Sequence, residues 1–214
     1  MPLFFEQQLR DLHGVGRRAL ADLVAAAPEV QSALVGQIVA DAAKRLCRRQ
    51  AAIADGSIHI VHIGERELFQ QQRLEGIVEA LQEAGIEFTD DQVTWIDFNN
   101  DETKAQSTAA DFLTAHPDSR KILFGVLTDP ASAGVLAAIE TAKRSDDCMI
   151  VSHGGEDVGI EMLKKDNCFQ GTVCYDPAKY GEGLIPLAVR IIHGEQAEVY
   201  NYAQQYMLTR DNLG

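Results

Sequence analysis

The sequence predicts an α/β fold built on a parallel sheet, and three observations predict it. Short apolar runs alternate with amphipathic helical stretches, the pattern of successive βαβ units. Several runs, such as KILFGVL at 121–127, are apolar on both strand faces, as a sheet covered on both sides requires. Each run is followed by a polar cluster. These clusters would gather on the carboxyl edge of the sheet, where open parallel sheets bind ligands.

Each element has its own signal. Residues 32–49 read as a helix with Leu34, Ile38, Ala42 and Leu46 on one stripe. SIHIVHI at 57–63 reads as a strand. Residues 68–84 form a helix that turns Leu74, Ile77, Val78 and Leu81 inward and ends at a Gly85 cap. A strand at 93–98 precedes a helix at 101–115, which stops ahead of Pro117. The strand at 121–127 leads to a helix at 130–143, with Asp129 as its N-cap and Pro130 in its first turn. A strand at 148–152, a short helix at 157–165 and a strand at 169–174 follow. The pair Asp176-Pro177 opens a helix at 177–193, and 199–208 is extended.

A chain of 214 residues is long enough to bury a sizeable core. Its net charge of -13 opposes nucleic acid and anionic membranes as partners. No apolar stretch is long enough to span a bilayer. The opening MPLFFEQQLRDLHG does not read as a secretory signal, because Glu6 and Asp11 interrupt it. Residues 9–25 resemble a helix-hairpin-helix around Gly14-Val15-Gly16, a reading the acidic charge weighs against.

Cys47, Cys148, Cys168 and Cys174 form no C-x-x-C pair, and no histidine pattern completes a zinc site. Cys148 and Cys174 read as small core residues, and a Cys168–Cys174 pairing is left open. His59 and His62 fall on opposite faces of one strand and so cannot chelate one ion together. G-x-S-x-G, Walker, H-E-x-x-H and G-x-G-x-x-G motifs are absent. His153-Gly154-Gly155 resembles an esterase oxyanion loop, but no nucleophile elbow accompanies it. The expectation is a binder, not an enzyme, with no cofactor and no metal.

The strand-end clusters supply the candidate ligand-binding residues. Arg73 lies in the helix after the first strand, and Asn100 follows the second. Thr128 and Asp129 follow the third, His153 and Glu156 the fourth, and Tyr175 the fifth. Mixed donors and acceptors suit a hydroxyl-rich ligand, and Tyr175 offers an aromatic face. Asn100, Asp129 and Asp176 fit equally well as helix N-caps.

In content and order these segments resemble the type I periplasmic binding proteins for sugars, which share their fold with the ligand domains of LacI-type repressors. QQQRLEGIVEALQEAGI resembles the family's R-x-x-G-f-x-x-A-l helix. DFLTAHPDSRKILFGVLTDPASAGVLAAIETAKR resembles its next segment, and CMIVSHGG, FQGTVCYDPAKYGEGLIPLAVRIIHGE and YMLTRDNL follow in the family's order. The resemblance covers about 31–212 and implies one complete αβα lobe with part of a second.

On that reading 1–30 is a helical segment, 31–174 the complete lobe, 175–198 a returning first-lobe helix and 199–214 a crossover strand and tail. Arg73 then matches the family's ligand-binding arginine, Asn100 stands at a contact position, Thr128 replaces an asparagine and Tyr175 stands at the hinge. The family's sugar-binding aspartate is absent, because Gly154 occupies its place and Glu156, two residues on, is the substitute. The ligand is therefore expected to depart from a common pentose or hexose.

The implied function is the solute-binding component of an ABC-type sugar importer in the periplasm, with a membrane permease as partner. The alternative is a ligand-sensing regulatory domain, and an esterase-like hydrolase stands a distant third. The first-lobe helix is expected to expose Leu184, Leu187 and Ile191 and to favour a homodimer.

Overall fold

A computed structural model describes residues 57–65, 68–83, 85–175, 179–195 and 205–213. The expected helix at 32–49, the segment 9–25, Cys47 and the Asp176-Pro177 pair lie outside the described residues. The chain divides into two compact units: one comprises 28–174 with 207–214, the other 1–27 with 175–206.

The larger unit is a doubly wound sheet. Its strands are β1 (His59–Ile63), β2 (Val93–Ile96), β3 (Ile122–Val126), β4 (Cys148–Gly154), β5 (Phe169–Cys174) and β6 (Tyr206–Thr209), in the order β2-β1-β3-β4-β5-β6. The pairings β1 with β2, β1 with β3, β3 with β4 and β4 with β5 are all parallel. The order reverses between β1 and β3, and this switch point opens a crevice at the carboxyl edge.

Helices α1 (Leu68–Glu83), α2 (Glu102–Ala115), α3 (Asp129–Thr141) and α4 (Asp157–Leu163) connect the strands. Phe112 of α2 meets Phe124 edge-on, whereas a side chain on the adjacent Gly125 would run into Ile77 of α1. Neighbouring strand residues point to opposite faces, so α1 and α2 cover opposite faces of the sheet. The main core lies on the α2 side, where Val61, Phe124, Ile150 and Phe169 pack with Ala109, Val135, Ile139 and Leu163.

Local chemistry sets the helix ends. Gly85, at φ 72°, closes α1 with the N–H of Gly85 on Gln82 O (2.9 Å) and that of Ile86 on Leu81 O (3.0 Å), a Schellman turn. Asp101 caps α2 through the N–H of Lys104 (3.0 Å). The expected N-cap of α3 shifts by one residue. Thr128, not Asp129, is extended and accepts from the N–H of Ala131, which places Asp129 inside the helix. Lys143 turns to φ 57° and ends α3 two residues earlier than the apolar pattern predicts. β4 runs to Gly154 instead of Ser152, which carries His153 and Gly154 into the sheet.

In the smaller unit, α5 (Tyr180–Ile192) has no buried residue. Leu184 and Ile191 are exposed as expected and Leu187 is half-buried, while Ile185, Val189 and Ile192 extend the apolar surface. Cys148, Cys168 and Cys174 are buried free thiols. Burial pushes the Cys168 thiol up to about 12, which makes it an inert packing group. No described helix is long and apolar enough to cross a membrane.

Candidate functional site

The carboxyl edge of the larger unit is organised around one carboxylate. Asp129, at the start of α3, is fully buried. Ser152 Oγ of β4 donates to one carboxylate oxygen, and the Glu156 N–H donates to the other at 2.8 Å. The Thr172 hydroxyl of β5 and the Gly155 N–H lie close enough to favour its charged form. Thr172 in turn accepts from Gly155 N–H at 3.1 Å. Asp129 thus ties α3, β4, β5 and the loop before α4 together. Burial raises its carboxyl above the usual carboxylate range, and these donors pull it partly back.

Two glycines make this closeness possible. Gly155 is left-handed at φ 70°, and a Cβ there would sit 2.5 Å from Cys174 Cβ. Gly159, in the first turn of α4, packs directly on the Asp129 carboxylate, where any side chain would collide with it. Glu156 stands in the N-cap position of α4 and projects outward, exposed. Partial burial raises its carboxyl, and the neighbouring Asp129 charge raises it further.

His153 and Arg73 form the second feature of this edge. His153 is 2% exposed, and its Nδ1 donates to Val126 O at 3.3 Å. That bond fixes the tautomer and leaves Nε2 as an acceptor with no partner. Burial holds the imidazole down at about 4, and the charge of nearby Arg73 lowers it further. The ring is therefore neutral at pH 7 and does not repel the guanidinium. The half-buried Arg73 reaches this edge because α1 starts there, with Leu74 packed beside Gly64 and Leu127 at the ends of β1 and β3.

The structure thus brings Arg73, Thr128, Asp129, His153 and Glu156 to one edge, beyond the carboxyl ends of β1, β3 and β4. Asn100 is exposed, in a left-handed turn (φ 51°) after β2, and takes no part in the Asp129 network. Tyr175 is half-buried and belongs to the smaller unit. Ser152, Thr172 and Gly159 were not singled out by sequence reasoning, and Gly155 was read only as part of the His153-Gly154-Gly155 loop. Their signal was faint: a polar Ser and Thr inside apolar strands and a Gly inside a short helix. The esterase-like motif has no hydroxyl nucleophile paired with it among the described residues, since Ser152 donates to Asp129 and His153 to a backbone carbonyl. No group of three His, Cys, Asp or Glu that could hold a metal occurs among the described residues.

A family model described as a periplasmic binding protein domain matches residues 18–196. No curated protein matches the chain. Among solved structures, a solute-binding protein of an ABC transporter from Agrobacterium vitis, bound with α-D-tagatopyranose, aligns with a TM-score of 0.67 at 17% identity, over 85% of this chain and 57% of that one. One from Mycobacterium smegmatis with bound glycerol aligns at 0.65 and 19%, over 86% and 60%. One from Actinobacillus succinogenes with bound D-allose aligns at 0.64 and 19%, over 84% and 61%. The chain therefore spans about three fifths of the length of these relatives, and the likeness is one of fold.

Proposed function

The chain belongs to the periplasmic binding protein domain family, and from that premise we propose that it binds a small hydroxyl-rich ligand, a sugar or polyol, at the carboxyl edge of its sheet. The observation that carries the reading is the convergence of Arg73, Thr128, His153 and Glu156 on the carboxyl edge of the sheet beside the β1/β3 switch point. A guanidinium offers five donors in a planar fork, suited to adjacent hydroxyl oxygens. Thr128 and Glu156 supply a hydroxyl and a carboxylate at the same edge, and Asn100 an amide on the neighbouring turn. Asp129 fixes the loop that presents Glu156. Its oxygens already accept from the protein, so its part is to position that loop.

The role we propose is solute capture for an ABC-type importer, in the periplasm, with a membrane permease as partner. The solved relatives named above support it, since three ABC transporter solute-binding proteins of this fold hold a sugar or glycerol. The test is thermal unfolding of the chain with a panel of sugars and polyols. A ligand at 100-fold over its Kd stabilises the fold by about 2.7 kcal/mol, a shift of a few degrees. Arg73→Ala is expected to abolish that shift while leaving the unliganded transition in place. Absence of a shift across the panel, or one that survives Arg73→Ala, would refute the reading.

A further inference from the structure

The carboxyl-edge site carries a negative charge that its surroundings do not balance. Among the described residues no donor or cation meets the Glu156 side chain, and the charge that acts on it, that of Asp129, has the same sign. Arg73 does not compensate it, since its charge acts on His153 and not on Glu156. The edge is therefore polarised, with the guanidinium on the α1 side and the carboxylate just beyond β4.

Both carboxylates border the space that Gly154 leaves open. A Cβ on Gly154 would sit 3.1 Å from Asp129 Oδ2 and 3.2 Å from Glu156 Oε1. Gly154 stands at φ 141°, a conformation that side chains disfavour. Asp129 is sealed in the interior and accepts from the Glu156 N–H at 2.8 Å, so it lends charge to this space but no contact. Glu156 is exposed, and its oxygens are the ones a ligand reaches. Two carboxylates this close oppose each other's charge. A positive group seated over Gly154 would turn that repulsion into attraction.

Resting on the sugar-site reading above, we propose that the ligand is an amino sugar or amino polyol, whose ammonium is held by Glu156 over Gly154 while its hydroxyls face Arg73 and Thr128. An ammonium on a carboxylate makes a charge-assisted hydrogen bond, about twice as strong as a neutral one. A hydroxyl in the same place can also donate to Glu156, but it gains nothing from the charge of Asp129 behind it. The separation of Arg73 from Glu156 keeps the guanidinium from repelling the ammonium.

The experiment compares matched pairs that differ by one ammonium for one hydroxyl: D-glucosamine with D-glucose, D-galactosamine with D-galactose, D-mannosamine with D-mannose, and serinol with glycerol. The full chain is titrated with each by calorimetry at physiological salt and about pH 6.5, below the range in which such an amine loses its proton. At least one amine is expected to bind at least tenfold more tightly than its alcohol. Glu156→Gln, at an exposed position, should cut that ratio below about threefold, since it removes the charge and keeps the shape. Glu161→Gln on α4 should leave the ratio unchanged. An alcohol that binds as tightly as its amine overturns the inference; if that binding is lost in Arg73→Ala, the sugar reading stands without it. An amine preference that Glu156→Gln does not reduce overturns the inference as well. If no member of any pair binds, the sugar reading itself fails and the inference falls with it.

Discussion

Asp129 and His62 are both fully buried polar side chains of the larger unit, and their surroundings are opposite. Asp129 is met by donors from β4, β5 and the loop before α4, while His62 is met by none. His153 is intermediate, with one nitrogen bonded and one not. A saturated buried group is architecture: its partners are all inside the protein, and it holds segments in register. An unsatisfied one carries a cost within the fold. The difference separates residues that hold the architecture from residues that burden it.

Removing Asp129 is expected to have the largest effect. Asp129→Ala leaves the Ser152 and Thr172 hydroxyls and the Glu156 N–H without their acceptor, and each buried donor left unpaired costs about 1–3 kcal/mol. The expected loss is about 3–5 kcal/mol in urea unfolding. Asp129→Asn, which keeps one acceptor oxygen, should lose less. A loss under about 1 kcal/mol for the alanine variant would show that water replaces the carboxylate and would end the distinction drawn here.

Next comes acid stability, with the histidines in the leading role. Burial holds His62 at about 3 and His153 at about 4, against about 6.5 in the unfolded chain. A group whose folded pKa is depressed contributes stability that is present above its unfolded pKa and lost as pH falls. Between pH 6.5 and 4 each imidazole should therefore remove up to about 1.4 kcal/mol per pH unit. Asp129 has the opposite sign. Its folded pKa is raised, so protonation favours the fold, and it offsets part of the loss at the acid end of the window. His62→Phe is expected to flatten the pH dependence of urea unfolding, and His153→Leu to flatten it separately. Unaltered slopes would mean that the rings already take up protons in the native state.

The same contrast explains what was legible in the sequence. Helix and strand positions follow from local periodicity, and so did the carboxyl edge, because polar clusters end each strand. The capping of α3 was misplaced by one residue because Thr128 and Asp129 both suit an N-cap, and only the backbone angles decide between them. HGG after the fourth strand reads as loop, and Ser152, though read as strand, shows no partner locally. The partner of Ser152 lies 23 residues away, at Asp129. Odd spacing placed His59 and His62 on opposite faces, and His59 turned out to be half-buried against Phe112 and His116. Nothing local says which of two faces will be dry, or that His62 will lack a partner once there. Satisfaction is a property of tertiary contacts, and sequence reading sees it last.

The smallest expected change in stability belongs to the apolar counterpart of this contrast. α3 buries eight of its residues, whereas α5 buries none and leaves Ile185 66% and Ile192 80% exposed. Apolar side chains already in water contribute little to folding. Ile185→Ser with Ile192→Ser should therefore change the unfolding free energy by no more than about 0.5 kcal/mol. Association is where the pair should act, because contiguous exposed apolar area drives it. Light scattering at rising protein concentration should show the parent chain self-associating, as a homodimer or larger, and the double variant shifted toward monomer. A variant that loses several kcal/mol would place these side chains against the protein's own interior. One that leaves both stability and association unchanged would make α5 a helix whose apolar face solvent alone covers.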